Sequence, residues 1–301
     1  MAGRCRALRV LGLYVAAFVG FVGIYLFVIR PWHRTWGATA EESKLSMAAD
    51  ELIASPNYVT TRAVTIKAPP EAVWPWLVQM GYKRGGLYSY DWIDRLQKIL
   101  DRPSANAILP EFQDLKPGDE IPIGGAPGWP VTSLEPNRSL IFDIRQPGVH
   151  ISWSWRLMPK DEKDTRLVLR IRGRVEVKPQ TLPVAALLDP GEFTMVRKML
   201  TGIKQRVERT MGTPADELRE LSAWCAAILL GLIGFLGALF RKAWVPHFVL
   251  SWAAWCLLFY LMLGQPPLVV GLVLNIVLSA ALVWAFLRKG TTQKSGPQRE
   301  M

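Results

Sequence analysis

Cysteine is nearly absent from this sequence: Cys5, Cys225 and Cys256 are all it has in 301 residues, and none lies between Pro31 and Leu221. No disulfide framework and no zinc-type spacing can be built from them. The central stretch is therefore compatible with either side of a membrane. Signature motifs are missing too. There is no P-loop, no dinucleotide fingerprint, no nucleophile elbow and no zinc site, so neither a cofactor nor a metal is expected. Charge is absent from long runs. Val10–Ile29, Leu221–Phe240 and Leu268–Leu287 carry no charged side chain, and Ala243–Leu263 has only His247 as an ionisable group. Each is long enough to cross a hydrocarbon core of about 30 Å, and core helices of soluble proteins seldom stay uncharged over such lengths.

What charge there is sits unevenly. The formal net charge is +11, but Pro31 to Leu221 holds 26 Lys and Arg against 24 Asp and Glu. The excess flanks the apolar runs, so it reads as a topology signal and not as a nucleic-acid surface. Arg4, Arg6 and Arg9 precede the first run, which exceeds a typical signal-peptide core and is followed by no small-residue cleavage site; it is expected to stay as an anchor. Arg241-Lys242 and the tail with Arg288, Lys289 and Lys294 are basic, whereas Gln265-Pro266-Pro267 is uncharged. Basic loops face the cytoplasm, so both ends are expected inside and the central domain outside a plasma membrane. Arg30 and Arg34 argue the other way.

Between the apolar runs the pattern changes. Thr39-Ala40-Glu41-Glu42 fits a capping box and starts a short helix. Val64 and Ile66 alternate with Thr65 and Lys67, a strand that Ala68-Pro69-Pro70 stops. Val73, Trp74, Leu77 and Val78 recur at helical spacing, and a second helix is expected from Tyr88 to Leu100 with Trp92, Ile93, Leu96 and Leu100 inward. Glu120–Ile123 reads as a short strand, and Gly124 to Pro130 as a loop. Strands follow at Leu140–Arg145, Val149–Leu157 and Leu167–Val177, with Gly173 a bulge. Their alternation predicts an antiparallel sheet covered on one side only. A final helix, Gly191 to Thr210, carries Phe193, Val196, Leu200, Ile203 and Val207 on one face, with Arg206 on the polar side. Gly212-Thr213-Pro214 ends it, and Thr213 with Asp216 caps the next.

The runs APPEAVWPWLVQMGY, RGGLYSYDW, ILPEFQDLKPGDEI and FTMVRKMLTGIKQRVE resemble the START-like, Bet v 1-like (SRPBCC) superfamily, in its bacterial polyketide cyclase/dehydrase-like branch. The resemblance spans roughly Trp36 to Thr210. It implies an α+β helix-grip fold, an antiparallel sheet wrapped around a long C-terminal helix, here with four transmembrane helices added. It also implies an apolar cavity but no common reaction. The division expected is an anchor at 1–30, a juxtamembrane segment at 31–61, the helix-grip domain at 62–212, three transmembrane helices at 213–289, and a basic disordered tail at 290–301.

A cavity in such a fold would be lined from the sheet by Phe142, Trp153, Trp155, Leu167 and Leu169, and from the closing helix by Phe193, Met195, Val196, Met199 and Leu200. Flexible thioethers suit an adaptable pocket, although any of these side chains could simply fill a core. The polar candidates are Arg84, Tyr88, Tyr90, Asp91, Asp94 and His150. A proton-transfer enzyme needs such groups within reach of its substrate. By alternation, however, His150 lies opposite the tryptophans and faces solvent, and Asp91 and Asp94 suit a cap or a surface face. The expected partner is a hydrophobic small molecule or lipid beside a membrane. A cyclase- or dehydratase-like enzyme and a structural membrane protein with a filled core are the alternatives.

Overall fold

A computed structural model describes residues 2–288 apart from Val177, Pro179 and Thr181. The expected basic tail, and the end of the last strand at Val177, lie outside the described residues. The chain divides into two compact units, one of residues 25–211 and one of residues 1–24 with 212 onward.

In the second of these, α1 (Ala2–Ile24) precedes α7 (Pro214–Phe240), α8 (Trp244–Gly264) and α9 (Leu268–Leu287). Among the described residues four helices are long and apolar enough to cross a membrane: Cys5–Arg34, which continues α1, and the three C-terminal ones. Thr213 starts α7 by donating its N–H and hydroxyl to Asp216, each at 2.9 Å. The small-residue face of α7 lets α8 approach closely, since a Cβ on Gly231, Gly234 or Gly237 would meet Trp255, Ser251 or His247. Asn275 bridges helices, its amide donating to the Ala223 carbonyl at 3.2 Å.

The other unit is α+β. Its helices are α2 (Arg30–Arg34), α3 (Ala40–Lys44), α4 (Pro70–Val78), α5 (Asp91–Leu96) and α6 (Leu182–Val207). Its strands are β1 (Tyr58–Ile66), β2 (Glu120–Ile123), β3 (Ala126–Glu135), β4 (Ser139–Gln146), β5 (Val149–Pro159) and β6 (Thr165–Val175), all antiparallel in the order β1-β6-β5-β4-β3-β2. One face buries Val64, Ile66, Leu140, Phe142, Trp155, Leu157, Leu167 and Leu169 in a single cluster with Val196, Met199, Leu200 and Ile203 of α6 and Val73 and Leu77 of α4. Area removed from water at about 25 cal/mol per Å² makes this cluster the main stabilising feature of the unit.

Five expectations are corrected. Gly124 to Pro130 is not all loop: β3 begins at Ala126, and its proline-bearing half pairs only with β2, because the β4 ladder starts at Val131. Neither Pro127 nor Pro130 therefore owes that ladder a donor. Gly173 makes no bulge and pairs in register with both Tyr58 and Ile151. The helix after Tyr88 is one short piece, and its inward face is the opposite one: Asp91 and Asp94 are buried while Leu96 is 76% exposed. Arg206 is no free surface cation, since it donates to the Ala105 carbonyl at 2.8 Å and its guanidinium stacks on Tyr88.

The sheet is also covered on both sides. On its outer face, Ser152, Ser154 and Arg170 are buried beneath a strap, Thr39–Ile53, made of α3 and a short 3₁₀ turn at Ala48–Leu52. The strap starts with the expected capping box, in which Glu42 N–H reaches Thr39 Oγ1 at 3.1 Å and Thr39 N–H reaches Glu42 Oε2 at 2.7 Å. It inserts Met47, Ala49 and Ile53 and is held by arginines of β6. Arg166 grips Glu42 at 2.6 and 2.8 Å. Arg170 reaches Asp50 at 2.8 Å and the carbonyls of Glu42, Ser43 and Leu45, and Arg172 donates to the Ile53 carbonyl at 2.9 Å. Guanidinium groups supply many donors in a fixed fork, which suits a strap that offers mainly carbonyls. The Arg166 bond holds the Glu42 carboxyl below its usual range.

Candidate functional site

The inner face of the sheet reads as rows of cross-strand neighbours. Thr60, Ile171, Trp153, Phe142 and Val131 form one row; Arg62, Leu169, Trp155 and Leu140 form the next. Aromatic rings run along it: Trp129 and Trp153 are 4.7 Å apart, Trp129 and Phe142 5.8 Å, and Trp153 and Trp155 6.4 Å, spacings at which such pairs attract. Trp155 and Phe142 are fully buried, but Trp129 and Trp153 only half. Of the cavity candidates, Phe142, Trp155, Leu167, Leu169, Val196, Met199 and Leu200 share the core cluster, with Trp153 packed against it. Met195 is half-buried on α6. Phe193 is buried among other partners, Trp32, His33 and Trp36. Among the described residues two polar atoms on this face are buried without a partner, Trp155 Nε1 and Thr60 Oγ1.

Beside Phe193 lies a polar network absent from the sequence reading. Arg62, 1% exposed at its side chain, makes a bidentate pair with Glu192 of α6 at 2.6 and 2.8 Å, and its Nε donates to the His33 carbonyl at 2.9 Å. Tyr58 donates to the same carboxylate at 2.8 Å. Burial works against the charge of Arg62, and Glu192 more than offsets it, so the guanidinium pKa is raised; burial and the Glu192 charge push the Tyr58 hydroxyl up. Tyr25 gives its proton to Asp189 at 2.8 Å and lies 3.0 Å from His33 Nε2. That assigns the His33 proton to Nε2 and leaves Nδ1 a buried acceptor without a partner. Arg30 closes on Asp189 at 2.7 Å. Burial raises the Asp189 carboxyl, but the bonds from Tyr25 and Arg30 outweigh it and hold it below the usual range. One signal was available in the sequence: Arg62 shares the parity of Val64 and Ile66, so a charge was bound to enter the apolar face.

The polar candidates fall into two places. Tyr88, Asp91 and Asp94 come together around Ser89 and Ser104. Tyr88 is buried with φ +59°, donates its hydroxyl to the Trp76 carbonyl at 3.0 Å and its N–H to Ser104 Oγ at 2.9 Å. Asp91 accepts from Ser104 N–H at 2.8 Å and its hydroxyl at 2.6 Å. Asp94 accepts from the Ser89 hydroxyl; burial pushes its pKa up to about 6, against the Ser89 bond and with help from the Asp91 charge. Arg84 clasps the carbonyls of Val78, Met80 and Phe112 and covers the Phe112 ring, and Lys198 lies 4.6 Å over the Tyr90 ring. These groups direct their polar atoms at neighbouring backbone and side chains. His150 is elsewhere, on the outer face, bonded to Asp143 at 2.7 Å and bordering an open depression of about 510 Å³ with Arg145 and Arg174. Among the described residues no three His, Cys, Asp or Glu side chains gather to hold a metal ion.

No family model matches the chain. No curated protein matches it either. Solved structures similar to it include Zhui aromatase/cyclase from Streptomyces sp. R1128, with 19% identity over 50% of this chain and 94% of that one and a TM-score of 0.31. CalU16 from Micromonospora echinospora has 16% identity over 52% and 78%, with a TM-score of 0.31. The Aha1 dimer from Colwellia psychrerythraea has 15% identity over 52% and 99%, with a TM-score of 0.30.

Proposed function

We propose that this protein is a multi-pass membrane protein whose helix-grip domain, outside a plasma membrane, binds a lipid or another hydrophobic small molecule between the inner face of the sheet and α6. The observation that carries the reading is the aromatic row on β3, β4 and β5. Its outer members Trp129 and Trp153 stay partly exposed while Phe142 and Trp155 are buried, which gives an apolar molecule a graded path inward. The helix above contributes Met195 and Met199, whose unbranched thioethers repack at low cost. A diazirine-bearing fatty acid, added to membranes containing the full chain and irradiated, should label peptides from β5 or from Phe193–Leu200, saturably and with competition by unlabelled fatty acid. Label confined to the four apolar helices would contradict the reading.

A second reading is a structural protein whose core is filled by its own side chains. Full burial of Phe142, Trp155, Leu167 and Leu200 favours it, and it expects no label on β5.

A further inference from the structure

We propose that the bound molecule is not a plain hydrocarbon but carries a carbonyl or comparable acceptor oxygen, held by the indole N–H of Trp155. This rests on the hydrophobic-ligand reading and narrows it. Trp155 is the largest fully buried side chain among the described residues, and its Nε1 finds no acceptor. Its strand neighbours are Leu140 and Leu169, apolar on either side, so the sheet has nothing to offer it. A buried donor left unpaired costs free energy that folding does not ordinarily tolerate, and such groups in native proteins are met by a ligand, an ion or a water. An indole N–H is a donor only, so the missing partner is an acceptor.

The surroundings say what kind of molecule brings it. Trp153 is 6.4 Å from Trp155 and 4.7 Å from Trp129, so the approach from the partly exposed edge runs over aromatic faces. Flat or chain-like apolar bodies travel such a path, and a charged group does not, since charge is costly to bury unpaired. Among the described residues no cationic side chain lies in the rows of Trp153 or Trp155 except Arg62, and Arg62 is taken by Glu192. The acceptor is therefore neutral: a ketone, quinone, ester or ether oxygen. Thr60 Oγ1, the other such atom on this face, stands on β1, two strands from Trp155 and one row over. That is about 10 Å across the strands. It gives a second oxygen of the same molecule a hydroxyl that can donate or accept.

The test uses the full chain in lipid nanodiscs, labelled with nitrogen-15 tryptophan, and two probes of matched shape, acetylnaphthalene and isopropenylnaphthalene. They differ by a carbonyl oxygen against a methylene. The Trp155 indole signal is identified by its loss in Trp155→Phe. Expected are binding of the acetyl probe roughly tenfold tighter at equal free concentration, a shift of the Trp155 indole resonance with that probe alone, and loss of the preference in Trp155→Phe. The wild-type ratio needs no variant, so a poorly folded Trp155→Phe does not blunt the test. Equal binding of the two probes with the Trp155 signal unmoved would overturn the inference and leave the hydrophobic-ligand reading standing. No binding of either probe to this domain would overturn both.

Discussion

Truncating Glu192 to alanine strands the Arg62 guanidinium, which is 1% exposed at its side chain, in an apolar face with no carboxylate. Breaking a buried pair from one side costs about 3–5 kcal/mol, a large part of a domain's usual 5–15 kcal/mol. Thermal unfolding of the full chain in detergent should show that loss, and Arg62→Met in the same background should recover part of it. A loss under about 1 kcal/mol would mean that Arg62 reaches water. Asp94 gives a pH signature. Its folded-state pKa is raised, from 3.8 to about 6, so the folded form holds the proton more tightly. Its contribution is complete below about pH 4 and disappears as pH rises through about 6, a change of about 3 kcal/mol. Asp94→Asn stays neutral throughout, so the variant should gain on the wild type between pH 4 and pH 7; a constant difference would contradict the burial argument. Residue roles were the least legible part of the sequence. Asp91 and Asp94 read as surface because a 3.6-residue period favoured the apolar side of a short helix, and the serines that satisfy them, Ser89 and Ser104, lie off that helix.

At the scale of elements, the second half of β1, β4, β5 and most of β6 were visible as alternation, because their inward side chains there are apolar at every second position. Of the strap only the capping box at its start was visible, since nothing periodic marks the rest. It packs by offering backbone carbonyls to arginines, and a carbonyl leaves no trace in a sequence. Ser152, Ser154 and Arg170 therefore read as solvated when they are covered. Arg170→Ala removes the donor to Asp50 and to the carbonyls of Glu42, Ser43 and Leu45. Charge-assisted bonds of this kind contribute about 1.5–3 kcal/mol each, so the strap should open more often. Trypsin cleavage after the exposed Lys44 should then speed up by roughly tenfold or more. An unchanged rate would mean that Met47, Ala49 and Ile53 alone hold the segment down.

For the whole molecule, long uncharged runs in the sequence alone marked the four apolar helices found among the described residues, and the basic residues at their ends read as a topology signal. Sidedness is argued from those same residues. An alkaline phosphatase fusion after Arg145 should be active and a green fluorescent protein fusion at the C-terminus bright, and the reverse pattern would put the domain in the cytoplasm. Ligand chemistry was not legible either, because an apolar inner face looks alike whether it is filled by its own side chains or by a guest; the proposed reading takes the partly exposed Trp129 and Trp153 beside a buried Trp155 as the sign of a guest. Native mass spectrometry of the full chain, released from its own membrane without prior delipidation, tests that claim most directly. The account predicts one apolar molecule per chain, retained after the loosely held lipids of the apolar helices are stripped and lost in Trp153→Ala. A bare chain at the same stripping energy, in wild type as in Trp153→Ala, would contradict it.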